Sequence, residues 1–176
     1  STNGDTTAFS AGIVSKTISV TSINDPPQVA NTVGKSNPFD PSSTGLTVLE
    51  DAGSITISGF APPLSGAQNA GNTASNESNQ TFTFTVTPDG GTAASLFTVA
   101  PAINNVSGDL TFTLKANANT VTTGTTQDPI VFDVRLTDDG STARSGEVTR
   151  LFDKAFEIRV TSLNDAPILN DTTVIL

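Results

Sequence analysis

The chain has 176 residues, a formal net charge of −9 and a sequence pI near 4.1. Phosphate recognition needs a basic footprint, so this balance argues against nucleic acid as a partner, and against an anionic membrane surface with it. With no Cys, His, Met, Trp or Tyr in the sequence, there is no disulfide, no thiolate or imidazole metal ligand and no histidine general base.

Taken in chain order, the first signal is a repeat. Thr21-Ser22-Ile23-Asn24-Asp25-Pro26-Pro27 returns as Thr161-Ser162-Leu163-Asn164-Asp165-Ala166-Pro167, 140 residues on from Asn24 to Asn164. Each copy closes a strand-like run, Thr17–Val20 and Glu157–Val160. Self-similarity at a fixed period is the mark of a repeated structural unit. The expected division is therefore residues 1–25 as the last strand of a preceding repeat, 26–165 as one complete repeat, and 166–176 as the first strand of a following one. A unit of this size buries about two-thirds of its unfolded surface, which suffices for one core.

Ile18 and Val20 give the first strand partial alternation, and Pro26-Pro27 stops it because proline cannot donate to a ladder. Residues 28–33 start the first strand of the complete repeat. Leu46, Val48 and Leu49 form a strand, which Glu50-Asp51-Ala52-Gly53 turns. Ser54–Phe60 alternates with Ile55, Ile57 and Phe60 inward. Residues 61–79 form a long Gly/Ala/Asn/Ser/Pro loop, a length that is uncommon inside a domain and often functional. Phe82, Phe84 and Val86 share one face. Leu96, Phe97 and Val99 make a short strand, as do Leu110, Phe112 and Leu114. Ile130, Phe132, Val134 and Leu136 alternate cleanly up to Asp138-Asp139-Gly140, and Phe156, Ile158 and Val160 close the unit. Period-2 alternation between turn signals marks half-buried antiparallel strands. About seven of them predict an all-β fold, a Greek-key sandwich. No segment reaches the roughly twenty apolar residues that span a bilayer.

Five polar clusters stand out: Asn24-Asp25, Glu50-Asp51, Asn76-Glu77, Asp138-Asp139 and Asn164-Asp165. Calcium takes six to eight oxygens from carboxylates, amides, backbone carbonyls and water, and such ligands must converge. The sandwich topology sends Asn24-Asp25, Asn76-Glu77 and Asp138-Asp139 to one end, and Glu50-Asp51 to the opposite end, beside Asn164-Asp165. Two alternatives stand at every cluster. Asn-Asp before proline is also a plain turn, Asp138-Asp139-Gly140 is also a tight hairpin turn, and Glu50-Asp51 and Asn76-Glu77 are also solvated loops. No catalytic constellation emerges. Asp153 and Glu157 lie on a strand with Lys154 and Arg159, as on a salted solvent face.

The Asn-Asp-x-Pro junctions, the Leu49-Glu50-Asp51 turn and the Thr137-Asp138-Asp139-Gly140 hairpin resemble the cadherin-like tandem repeats of large bacterial surface proteins. So do the stretches from Asn76 through Thr81-Phe82-Thr83-Phe84-Thr85-Val86, Leu96-Phe97-Thr98-Val99 and Leu110-Thr111-Phe112-Thr113. The resemblance covers the whole repeat. It implies an immunoglobulin-like sandwich, Ca2+ between modules, and a non-enzymatic role in adhesion or spacing at the cell surface or outside the cell. Ser22 and Ser162 stand where the animal cadherin junction has its first Asp, and Asn76-Glu77-Ser78 replaces its Asp-x-Asp, which leaves fewer full charges per site. Two further readings remain open. One is a self-assembling filament in which residues 1–23 complete the sandwich of another copy by strand addition. The other is a carbohydrate-binding module, for which solvent-exposed Phe would have to supply the aromatic platform. In the first two readings the partners are neighbouring repeats or further copies of the chain, end to end.

Overall fold

Threonine and phenylalanine in strict alternation leave the backbone little choice but extension, with one face apolar and the other hydroxylated. In the computed structural model of the chain, residues 15–27, 29, 39, 45–62, 80–90, 95–120 and 128–165 are described. They form seven strands: β1 (Leu46–Leu49), β2 (Ser54–Ile57), β3 (Phe82–Pro88), β4 (Phe97–Ile103), β5 (Leu110–Leu114), β6 (Ile130–Asp138) and β7 (Thr149–Thr161). One sheet has the order β1-β7-β6-β3 and the other β2-β5-β4. The fold is all-β in two sheets.

Both sheets contribute to one apolar cluster. Phe82, Phe84, Phe132, Val134, Leu136, Ile158 and Val160 come from the first, and Phe97, Ile103, Leu110, Phe112 and Leu114 from the second. Phe97 bridges them: it meets Phe132 of the first sheet at 6.0 Å and Phe112 of its own sheet edge-on at 5.8 Å, while Phe132 stacks on Phe156 beside it at 5.0 Å. Lacking Trp and Tyr, the core uses rings that bring no buried N–H or O–H to satisfy.

One expectation is corrected, and two side chains stand out from their strands' apolar faces. The strands are not all antiparallel: β1 runs parallel to β7, with Leu46 opposite Ile158 and Leu49 opposite Thr161. A parallel pair needs a long crossover, and the whole chain between β1 and β7 supplies it. Val99 does not face inward but is 55% exposed. The β4–β5 register slips on both sides of it, and a bulge turns the alternation over. Leu49 is likewise exposed, whereas Glu50 is buried.

β7 also starts earlier than its sequence signal, at Thr149. Two steps along β6, from Phe132 to Val134, match four along β7, from Phe156 to Phe152. The extra residues bulge at Lys154, whose φ is 49° and whose N–H donates to Asp133 Oδ1 at 2.8 Å. The expected strand over 28–33 and the loop residues 63–79 lie outside the described residues, except that Val29 is buried in the core. Residues 15–25 are described but pair with no sheet.

Candidate functional site

The alternation that builds the core also places two carboxylates. Along β6 the inward positions are Phe132, Val134, Leu136 and then Asp138, which is 5% exposed. Along β1 they are Leu46, Val48 and then Glu50, which is 4% exposed. Each carboxylate ends an apolar face, and the two lie at opposite ends of the first sheet. A buried carboxylate costs free energy unless its oxygens accept hydrogen bonds, and both do.

At the upstream end Asp138 Oδ1 accepts from the Gly140 N–H at 2.8 Å and from Asn24 Nδ2 at 3.2 Å. Asn24 is itself buried. Its Nδ2 also donates to the Glu147 carbonyl, its Oδ1 accepts from Gln80 Nε2, and its own carbonyl accepts from Glu147 N–H at 3.1 Å. Two glycines make the seat. A Cβ on Gly140 would overlap Asn24 Oδ1, and one on Gly146 would crowd the Ser141 carbonyl and come within 3.1 Å of Asn24 Cβ. Pro27, three residues on, is fully buried.

Asp139 turns the other way, with Oδ1 accepting from Thr81 N–H at 2.8 Å and Oδ2 from Thr81 Oγ at 2.7 Å. The Thr81 hydroxyl first, and then its N–H, hold the Asp139 carboxyl below its ordinary range. The expected tight hairpin at Asp138-Asp139-Gly140 does not form. Residues 139–148, with a 3-10 turn at Ala143–Ser145, separate β6 from β7, because Gly140 packs on Asn24 instead of reversing the chain.

At the downstream end Glu50 Oε1 accepts from Leu163 N–H at 2.6 Å and Oε2 from Asn119 Nδ2 at 3.1 Å. Glu50 N–H donates to the Thr161 carbonyl at 2.9 Å. Asp51, in the left-handed region at φ 61°, accepts from Asn117 N–H at 2.9 Å. Thr120 clasps β7, its Oγ donating to the Val160 carbonyl at 3.0 Å and accepting from Val160 N–H at 3.1 Å.

Of the sequence-predicted residues, Asn24 meets Asp138, with Asp139 alongside, and Glu50 meets the residue before Asn164. Asp25, Asn164 and Asp165 are solvent-facing, and Asn76 and Glu77 lie outside the described residues. Gln80, Thr81, Gly146, Glu147, Asn117, Asn119 and Thr120 were not anticipated. Glu157 pairs with Arg159 at 3.6 Å and Lys154 with Asp89 at 4.0 Å, both on the exposed side. No phenylalanine is among the exposed large apolar side chains of the described residues.

The upstream end offers oxygens of the kind a hard cation takes: both Asp138 carboxylate oxygens, Asn24 Oδ1, the Glu147 carbonyl and Gln80 Oε1. Gln80 Oε1 is buried without a hydrogen-bond partner, whereas Asp138 Oδ1, Asn24 Oδ1 and the Glu147 carbonyl already accept from N–H groups, so calcium would bind here in exchange for those bonds. Among the described residues no three acidic side chains converge, so neutral oxygens would supply most of the ligands. At the downstream end both Glu50 oxygens already accept from N–H groups. Among the described residues no helix is long and apolar enough to cross a membrane.

No protein-family model, curated protein or solved structure matches the chain. The functional reading therefore rests on the repeat and on this geometry.

Proposed function

We propose that the chain is a non-enzymatic structural module, a cadherin- or immunoglobulin-like Greek-key sandwich repeated end to end in an extracellular bacterial adhesin or surface fibre. One observation carries this reading. Ile18 and Val20 are 86% and 87% exposed, whereas Ile158 and Val160, at the same places in the repeat, are fully buried in β7. Two β-branched residues held out in water make sense as the closing strand of another copy of the same sheet.

Calcium at the upstream end, held by Asp138, Asn24, Gln80 and the Glu147 carbonyl, stiffens the junction. The cation supplies a positive charge that binds oxygens from both sides of the repeat boundary. The test is thermal unfolding in millimolar calcium and then in excess chelator. Calcium at about a hundred times its dissociation constant adds about 2.7 kcal/mol, so chelation lowers the midpoint by several degrees. Calcium restores it, and magnesium, which demands a small octahedral site, does not. An unchanged midpoint removes calcium from the reading and leaves the repeat module.

The same exposed pair also favours a second reading, in which residues 1–23 add a strand to a separate copy and build a filament. Light scattering of the purified chain separates the two: concentration-dependent assembly supports strand exchange, and a monomer supports covalent repeats.

A further inference from the structure

The repeated peptide is seen in this structure from both sides. In its second copy, residues up to 163 are held by the module. Val160 is buried and bonded both ways to Thr120, the Thr161 carbonyl accepts from Glu50 N–H, and Leu163 N–H donates to Glu50 Oε1. Asn164 and Asp165, which follow, face solvent. In its first copy the pattern reverses. Residues 18–23 face solvent, while Asn24, Pro27 and Val29 are buried on the module. The chain changes hands between equivalent positions, 23 to 24 in one copy and 163 to 164 in the other. The local form is the same in both: Asn24 Nδ2 reaches the Asp25 carbonyl and Asn164 Nδ2 the Asp165 carbonyl, each at 3.3 Å.

We infer that Asn164 seats in the upstream end of a second copy of this module, in the place Asn24 takes here, so that Leu163 and Asn164 are anchored in successive modules with no free residue between them. The seat selects a primary amide. It asks one group to donate to Asp138 and to the Glu147 carbonyl while accepting from Gln80 Nε2, and only Asn or Gln carries both functions on one planar head. A carboxylate there would face Asp138 as a like charge. The following anchors recur at the same spacing in the sequence: Asn24, Pro27 and Val29 become Asn164, Pro167 and Leu169. The inference rests on the reading of the chain as a repeat module, but the contacts it uses need no metal.

The test has two arms, both in excess chelator. In the full chain, Pro26→Ala, Gln28→Ile and Val29→Leu together rewrite residues 24–29 as the sequence of 164–169. The midpoint stays within about 2 °C, and adding Asn24→Ala lowers it by about 5 °C, as the same change does in the native background. In the second arm two copies are joined, residue 169 of the first followed by residue 30 of the second. Asn164→Ala there lowers the second module's midpoint as Asn24→Ala lowers the first, and two glycines inserted between Leu163 and Asn164 leave the midpoint in place but shorten the rotational correlation time. A silent Asn164→Ala beside an effective Asn24→Ala overturns the inference, as does a triple variant that no longer responds to Asn24→Ala. Neither outcome depends on whether calcium stabilises the chain.

Discussion

Glu50 and Asp138 hold the same station in their strands, one step past a run of inward apolar residues, yet they hold different things. Glu50 takes the backbone N–H of Leu163. Every residue but proline offers that donor, so the exit end accepts Leu163 in one copy of the repeat and would accept the Ile23 of the other. Asp138 takes a side-chain amide, which few residues offer, and both copies carry Asn there. The exit end clamps a path and the entry end reads a residue. If the chain is the repeat module proposed, a unit that ends its own chain generically and selects the start of the next would favour ordered, one-directional joining.

The largest expected effect comes from removing the generic clamp. Glu50→Ala takes the charged acceptor away from the part-buried Leu163 N–H and Asn119 amide. Hydrogen bonds to a charged group and unsatisfied buried donors are each worth about 1–3 kcal/mol, so urea unfolding should show a loss of about 3 kcal/mol. Glu50→Gln keeps one acceptor and should lose about half as much. An unchanged Glu50→Ala would mean that Thr120 and the backbone pairing with β1, including the Glu50 N–H to the Thr161 carbonyl, hold the last residues of β7 without the carboxylate.

A smaller loss follows from filling the selective seat. Gly140→Ala puts a methyl group where Asn24 Oδ1 sits and should cost about 1–2 kcal/mol by displacing the amide. Combined with Asn24→Ala it should cost much less than the sum, since the two act on one contact. Gly53→Ala is the contrast: its Cβ meets nothing within 4 Å, but φ is +70°, so it should cost about 1 kcal/mol from backbone strain alone and add fully to Asn24→Ala.

Much of this was legible where alternation runs unbroken. Phe82-Thr83-Phe84, Leu110-Thr111-Phe112-Thr113-Leu114 and Ile130 to Leu136 are strands because the side-chain period and the apolar period agree. The face of Val99 was not legible, because a bulge shifts the period by local geometry that the residue types do not announce. The parallel β1–β7 pair was out of reach because pairing partners are chosen by the tertiary fold. At the candidate site, the clusters around Asn24, Glu50, Asp138 and Asn164 were visible as polar punctuation. A sharper signal lay beside them: Phe132-x-Val134-x-Leu136-x-Asp138 and Leu46-x-Val48-x-Glu50 continue the inward parity by one step and so mark carboxylates that end up buried. Gln80, Asn119 and Thr120 carried no such signal. They are single polar residues in loops, and only the fold makes them partners.

The smallest effect distinguishes the two carboxylates of the entry end by pH. Thr81, through its hydroxyl and then its N–H, holds the folded Asp139 carboxyl below the ordinary aspartate range. A depressed folded pKa means that the ionised side chain stabilises the fold at every pH above the unfolded value and that this share is lost as pH falls below about 4 toward the folded pKa. Asp139→Asn cannot titrate there. The stability gap between native chain and variant should therefore be widest near neutrality and close as pH falls below about 4. Asp109, lowered first by the Gly59 N–H and then by the Ser107 hydroxyl, should lose its share in the same window, and Asp109→Asn serves as the matched control at a turn that holds no junction residue. A gap for Asp139→Asn that stays constant with pH would mean that Thr81 positions the loop after Asp138 by shape, and that the charge on Asp139 contributes nothing to seating Asn24.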